Sequence, residues 1–155
     1  MDISKFMERA VELSRSNISC NGGPFGAVIV KDEKIIAEGC NRVTSDNDPT
    51  AHAEVVAIRE ACKKLNTFNL TGCEIYTSCE PCPMCLAAIY WARLDTVYFA
   101  NEKHDAANIG FDDKFIYDEF ALELHQRKIK MVKLHIKDAL EVFNEWKNRD
   151  DKIEY

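Results

Sequence analysis

Two short stretches decide the fold and the chemistry of this chain, Pro49-Thr-Ala-His-Ala-Glu54 and Pro81-Cys-Pro-Met-Cys85. Each stands at the start of a predicted helix, because loop residues precede the first and a proline suited to a first helical turn lies inside the second. The two cysteines of the second stretch are three residues apart, so one helical turn brings both sulfurs to the same face. His52 and Glu54 are about 200° apart around a regular helix and converge only beyond its end. The spacing therefore predicts a metal ion seated at helix N-termini.

The types of residue indicate which kind of metal site this is. Two thiolates and one neutral imidazole balance the charge of Zn²⁺ and leave a fourth position for water, whereas a structural zinc site is closed by four protein ligands. Zinc lowers the pKa of a bound water, which makes a nucleophile available near neutral pH. Glu54, two residues from His52, is placed to carry that water's proton. The donor set is therefore typical of a catalytic zinc centre.

Hydrophobic periodicity around the two stretches predicts an alternating α/β chain. We predict strands over 26–30, 35–39, 74–77, 96–100 and 130–136, and helices over 3–13, 51–65, 83–91, 112–125 and 138–147. Thr50 is the expected cap of the second of these helices. Five strands interleaved with five helices predict a three-layer α/β/α fold around a five-stranded mixed sheet, in a single domain over residues 1–155.

Composition narrows the partners and the compartment. The chain has 155 residues, a formal net charge of -6 and 7 cysteines. Clustered Lys and Arg, which nucleic-acid binding demands, occur only around 127–130, so we expect a small neutral or weakly charged substrate and no nucleic acid. No apolar run approaches the roughly 20 residues of a membrane span, and the N-terminus lacks a secretory pattern. We therefore expect a cytoplasmic protein with reduced thiols, in which the odd cysteine count raises no pairing problem.

The His-x-Glu and Pro-Cys-x-x-Cys spacings of the two stretches resemble the signature of the zinc-dependent nucleobase and nucleoside deaminases. The resemblance extends over residues 22–113 and implies a cytidine-deaminase-like fold. It implies that His52, Cys82 and Cys85 bind one zinc ion and that Glu54 is the catalytic proton shuttle.

Longer stretches resemble the bacterial guanine deaminases within this family. They are Gly22–Val30, Asn47–Glu54, Tyr76–Cys85, Ala88–Arg93, Gly110–Asp113 and the tail Lys152–Tyr155. The resemblance implies hydrolysis of guanine to xanthine and ammonia, as part of purine catabolism or salvage.

Candidate substrate-binding residues follow from this resemblance. Guanine presents its N1–H and 2-amino group as donors, so its pocket needs an acceptor, and Asp112 and Asp113 offer carboxylates. The resemblance assigns substrate recognition to Asp113. It also implies that Phe25 stacks on the base, that Asn41 hydrogen-bonds the purine and that Trp91 lines the pocket. Without the resemblance, the plainer interpretations are a helix cap, a core aromatic and a turn residue.

The chain's end carries a further expectation. The resemblance implies a domain-swapped homodimer in which Tyr155 closes the neighbouring site against water. The plainer interpretation is a frayed terminus.

Other functions remain open on sequence grounds. Guanosine deaminases and tRNA adenosine deaminases share the metal motifs, and a non-enzymatic structural zinc module uses the same residue types. Cys79-x-x-Cys82-x-x-Cys85 also imitates part of an iron–sulfur motif, but the next ligand position holds Ile89. We therefore expect Cys79 to be a packing residue beside the zinc site.

Overall fold

The chain divides into two compact units, Met1–Lys114 and Phe115–Tyr155. The structure, a computed structural model, describes residues 3–155. The first unit holds α1 (Ser4–Ser19), β1 (Gly26–Lys31), β2 (Lys34–Cys40), α2 (Val43–Asp46), α3 (Ala53–Leu65), β3 (Cys73–Cys79), α4 (Pro83–Ala92), β4 (Thr96–Asn101) and α5 (Lys103–Asn108). They are followed by α6 (Lys114–Ala121), a 3₁₀ turn (Leu124–Gln126) and α7 (Asp138–Asn148). Within residues 3–155, no helix combines the length and apolar character that a membrane span requires.

The four strands form one mixed sheet in the order β2-β1-β3-β4. Strand β1 is antiparallel to both of its neighbours, with Ala27 opposite Gly39 on one side and Thr77 on the other. Strands β3 and β4 are parallel, with Tyr76 opposite Tyr98. The parallel pair requires a crossover, which α4 provides.

Helices cover both faces of this sheet, because successive side chains of each strand point to opposite sides. On one face, Phe6 of α1 packs with Val28, Val30 and Tyr76. On the other face, α3 and α4 bury small and aliphatic side chains against β1 and β3. These are Ala27, Ile29, Ala53, Ala57, Ala61, Ile75, Ile89 and Ala92. The first unit is therefore a three-layer α/β/α arrangement, as predicted.

The predicted five-stranded sheet is wrong, since the structure has four strands. Residues 130–136 pair with no strand of the described chain, although they alternate in sequence as a half-buried strand does. Met131, Val132, Leu134 and Ile136 are exposed over half or more of their surface. Alternation reports which face of a segment is apolar, but a strand also needs a neighbour for its backbone hydrogen bonds.

Several boundaries also differ from the prediction. Thr50 does not cap α3, because its backbone N–H and its hydroxyl both donate to the Asp48 carboxylate, and His52 holds the cap position instead. The predicted helix over 112–125 is shorter and ends in a separate 3₁₀ turn. Helices α2 and α5 were not predicted, since they span only four and six residues and are too short to show a period.

Gly39 allows α3 to lie directly on the sheet. A Cβ at this position would stand 2.2 Å from the backbone oxygen of Ala53 and 2.7 Å from the backbone nitrogen of Ala57. Both atoms belong to the backbone of a buried helix, so they have no side-chain freedom with which to move aside. The close packing sets the position of the first turn of α3, where Glu54 lies.

We expect Gly39→Ala to lower the free energy of unfolding by about 1–3 kcal/mol, the usual cost of overpacking a core. Urea denaturation of the purified protein measures this change. Lys34→Ala, at the exposed start of the same strand, is the matched control and should leave stability nearly unchanged. A Gly39→Ala protein as stable as the control would contradict the packing argument.

Candidate active site

The site begins at the N-termini of two helices. His52 is the N-cap residue of α3, and Cys82 is the N-cap residue of α4. Both have extended backbones, with φ/ψ of -68°/157° and -66°/168°, and neither side chain caps its own helix. Both side chains therefore remain available to bind a metal ion. The helix predicted over 51–65 therefore begins two residues later than expected, and His52 lies outside its regular part.

Three donor atoms meet at this point. The Sγ atoms of Cys82 and Cys85 each lie 3.5 Å from Nδ1 of His52. All three donors lie within 4.8 Å of one another. A tetrahedral zinc ion, with Zn–S of about 2.3 Å and Zn–N of about 2.0–2.1 Å, separates a sulfur from a nitrogen by roughly 3.5 Å. The residues present therefore fit a zinc ion in both donor type and spacing.

The two thiols of the donor set have different acidities. A hydrogen bond from Cys85, together with the nearby His52, lowers the pKa of Cys82 to about 4. The pKa of Cys85 is raised, because it shares a proton with Cys82 and is buried. One thiolate is therefore ready at neutral pH, whereas the second proton has to leave when a metal binds.

Glu54 is a buried carboxyl group beside the donor atoms. Its side chain lies in the first turn of α3, the residue is only 8% exposed, and Oε2 lies 3.4 Å from Sγ of Cys85. Burial raises the pKa of Glu54 above its ordinary value, since the charged form is poorly solvated there. A carboxyl group that holds a proton more readily than usual is suited to accepting and returning one.

Phe25 and Asn41 lie together at the ends of β1 and β2. The backbone N–H of Asn41 donates to the backbone oxygen of Phe25 at 3.2 Å, and the Asn41 side chain is nearly buried, with Oδ1 accepting from the N–H of Val43 at 3.1 Å. The ring of Phe25 contacts that of Phe111 edge to face, with centroids 4.9 Å apart. This contact connects the β1 end to the segment that carries Asp112 and Asp113.

The two neighbouring aspartates have different surroundings. Asp112 is exposed, and its carboxylate accepts the backbone N–H of Lys114 at 2.9 Å. Asp113 is half-buried, and its pKa is raised by burial and by the negative charge of the nearby Cys82. The helix-cap interpretation therefore describes Asp112, whereas Asp113 has the half-buried carboxyl group of the pair.

The remaining predicted residues are placed differently. Trp91, in the last turn of α4, is 66% exposed, and Tyr155, in the second unit, is 71% exposed. Cys79 is buried outside the three-donor group, with Sγ 3.8 Å from the backbone oxygen of Glu102, and burial raises its pKa to about 11. It therefore stays a neutral thiol, as expected of a packing residue.

Sequence reasoning missed two polar residues that hold the loops around this site. Ser78 Oγ accepts the backbone N–H of Gly26 at 3.0 Å, and Asn17 Nδ2 donates to the backbone oxygens of Gly23 and Asn41. The one local signal for the second contact is the Gly22-Gly23 pair, because a side chain at the first glycine would overlap Asn17.

Comparisons with known proteins agree with this geometry. Residues 1–101 match the cytidine and deoxycytidylate deaminase zinc-binding region. A guanine deaminase from Bacillus subtilis is 53% identical, with 100% of both chains covered. The X-ray structure of guanine deaminase from Bacillus subtilis superposes with a TM-score of 0.97, at 53% identity, over 100% of this chain and 99% of that one. A tRNA-specific adenosine deaminase from Aquifex aeolicus is 40% identical over 79% of each chain.

The family match includes both helix N-termini and all three donor residues. The geometry independently provides an open three-ligand set with a buried carboxyl group beside it. The chain therefore belongs to the cytidine and deoxycytidylate deaminase family of zinc-dependent hydrolytic enzymes.

Proposed function

We propose that this enzyme hydrolyses guanine to xanthine and ammonia. The observation that carries the proposal is the buried Glu54 carboxyl group beside a three-ligand zinc set, in a chain similar over its whole length to a guanine deaminase. The donor set works only with reduced thiols, and the described cysteines are free, which supports a cytoplasmic location.

The residues of this chain divide the reaction between them. His52, Cys82 and Cys85 hold the zinc ion, which when bound supplies a Lewis acid that makes water nucleophilic near neutral pH. Glu54 accepts a proton from the water that adds to C2 of guanine and transfers it to N3. It then takes the proton of the new C2 hydroxyl and delivers it to the departing amino group, so that ammonia leaves as the C2 carbonyl of xanthine forms.

Recognition of guanine requires an acceptor for the N1–H and the 2-amino group. Asp113 is half-buried near Cys82, so its carboxylate is the acceptor that we assign to this edge. Phe25 stacks on the purine, and Asn41 hydrogen-bonds it beside that ring. We assign Trp91 to the pocket wall.

We further propose a homodimer in which the C-terminal segment is exchanged between subunits. Strand β4 is an edge of the described sheet, and residues 130–136 form an apolar segment without a strand partner. The second unit exposes a large set of apolar side chains. They include Phe115, Phe120, Leu134, Leu140, Phe143, Trp146 and Tyr155. A soluble monomer rarely leaves so much apolar surface uncovered, and exchange of an identical element covers it at low cost. Tyr155 then closes the partner's pocket against water.

Adenosine deamination on tRNA is the second candidate, because the Aquifex aeolicus relative named for that activity shares the 40% identity given above. Its similarity leaves about a fifth of this chain unmatched, and the acidic Asp113 does not suit an RNA substrate. An ammonia-release panel with guanine, guanosine, adenine, cytosine and cytidine, together with a tRNA substrate, separates these candidates. Turnover of guanine alone supports the proposal, and turnover of tRNA alone contradicts it.

We expect Glu54→Gln to reduce guanine deamination by about 10²–10⁴-fold, because the amide cannot carry the proton. Zinc content, measured by atomic absorption, should stay at the parent level, since Glu54 is not a ligand. Glu60→Gln, on the exposed side of the same helix, is the control and should keep full activity. Substantial ammonia release by Glu54→Gln would show that another group shuttles the proton.

Asp113→Asn should lower kcat/KM for guanine roughly 10- to 100-fold, because the amide replaces a charge-assisted acceptor. Asp112→Asn keeps an oxygen for the Lys114 N–H and is the matched neighbour, with little expected change. Steady-state kinetics of the two variants decides between the aspartates. A larger loss in Asp112→Asn would reverse our assignment.

The exchanged tail can be tested by complementation. Deletion of residues 151–155 should abolish most turnover while zinc stays bound, and Glu54→Gln is inactive for a separate reason. Co-expression of the two chains should restore roughly a quarter of parent activity, because about half of randomly assorted dimers are hybrids with one complete site. A mixture no more active than its separate components would exclude exchange of the tail.

A further inference from the structure

We propose that Asn17 is a positioning residue that holds Phe25 and Asn41 in place against the base. This inference rests on the proposed function, because it takes those two residues as the base-binding wall. Asn17 lies in the last turn of α1, outside the metal site and outside the His-x-Glu and Pro-Cys-x-x-Cys motifs.

The contacts of Asn17 form a closed circuit of hydrogen bonds. Its Nδ2 donates to the backbone oxygen of Gly23 at 2.8 Å and to that of Asn41 at 2.9 Å. The same Gly23 oxygen accepts the backbone N–H of Phe25 at 2.8 Å. The Phe25 oxygen in turn accepts the backbone N–H of Asn41 at 3.2 Å. One side-chain amide therefore joins the turn that orients Phe25 to the strand end that carries Asn41.

The chemistry of this circuit requires a primary amide. Both partners are carbonyl oxygens, so the atom between them has to donate two hydrogens, as the NH₂ of Asn does. A carboxylate of the same shape would place negative charge against two acceptors. Position 17 therefore requires a group that donates two hydrogen bonds from one place, and the volume of the side chain matters less.

Gly22 provides an independent sign of the same constraint. A Cβ at this position would lie 2.2 Å from Nδ2 and 2.6 Å from Cγ of Asn17. The side chain of Asn17 can avoid such an atom only by leaving both of its acceptors. Gly22 has no left-handed backbone conformation, so Gly22→Ala displaces Asn17 without adding backbone strain.

The helix that carries Asn17 is held firmly by the core. Helix α1 packs on the sheet through Phe6 and Ala10, both almost fully buried. Asn17 therefore connects the strand ends at Phe25 and Asn41 to a helix that the core holds in place. A loosened wall binds the base less well in the ground state and the transition state alike, which raises KM more than it lowers kcat.

The test compares Asn17→Asp, Asn17→Gln and Gly22→Ala with the parent enzyme in guanine deamination. We expect Asn17→Asp and Gly22→Ala to raise KM about tenfold, as loss of roughly one net hydrogen bond does, with kcat within about twofold. Asn17→Gln keeps the NH₂ group, so its KM should lie between that of the parent enzyme and that of Asn17→Asp. Zinc content should be unchanged in all three.

Ser16→Ala is the matched control, because it removes one exposed hydrogen bond, to the Glu12 oxygen, from the same turn of α1. Its KM should equal that of the parent. The inference would be overturned if Asn17→Asp and Gly22→Ala both kept the KM of the parent enzyme. It would also be overturned if only kcat fell, in proportion to the amount of folded protein lost. If Asn17→Asp does not fold, Gly22→Ala decides. Absence of guanine turnover in the parent enzyme would instead refute the proposed function.

Discussion

The whole site depends on the close packing of α3 on β2. At Gly39 the helix backbone approaches the strand so closely that a single methyl group would overlap it. Helix α4 packs beside α3 on the same face through Ile89 and Ala92. The two N-termini are therefore fixed by the core, and the three donor atoms meet because their helices meet. A metal centre built in this way inherits the rigidity of the sheet and needs no loop of its own to order it.

The same packing explains how a carboxyl group is placed near two thiols. Glu54 is almost fully buried beside Cys85, in surroundings that disfavour further negative charge, and its pKa rises for that reason. A cation held by His52 and the two sulfurs would offset this charge, and the donor set fits zinc. The positive ends of two helix dipoles act in the same direction. Burial, which is unfavourable for the carboxylate alone, raises its proton affinity, as the proposed shuttle role requires.

The sequence predicted those features of the site that depend on residues close together in the chain. Two cysteines one helical turn apart and a histidine at a helix start identify the donor set, because helix geometry converts their sequence spacing into a position in space. The Asn17 circuit has no such signal, since it joins residues that are 6 and 24 positions apart. The fifth strand was predicted wrongly for a related reason. Residues 130–136 have the pattern of a strand, but pairing depends on a neighbour that the pattern does not specify.

The donor residues and the residues that we propose to bind the base lie in different segments of the chain. The family match ends at residue 101 and includes the three donor residues and Glu54. Asp113, Phe111 and the whole second unit follow that boundary. Asn17, in the last turn of α1, and Phe25 and Asn41, at strand ends, precede the zinc motifs. Because these segments are held by side-chain hydrogen bonds and an aromatic contact, the proposed base-binding wall can change without moving the donor atoms. A family that keeps one reaction and varies its substrate requires that separation.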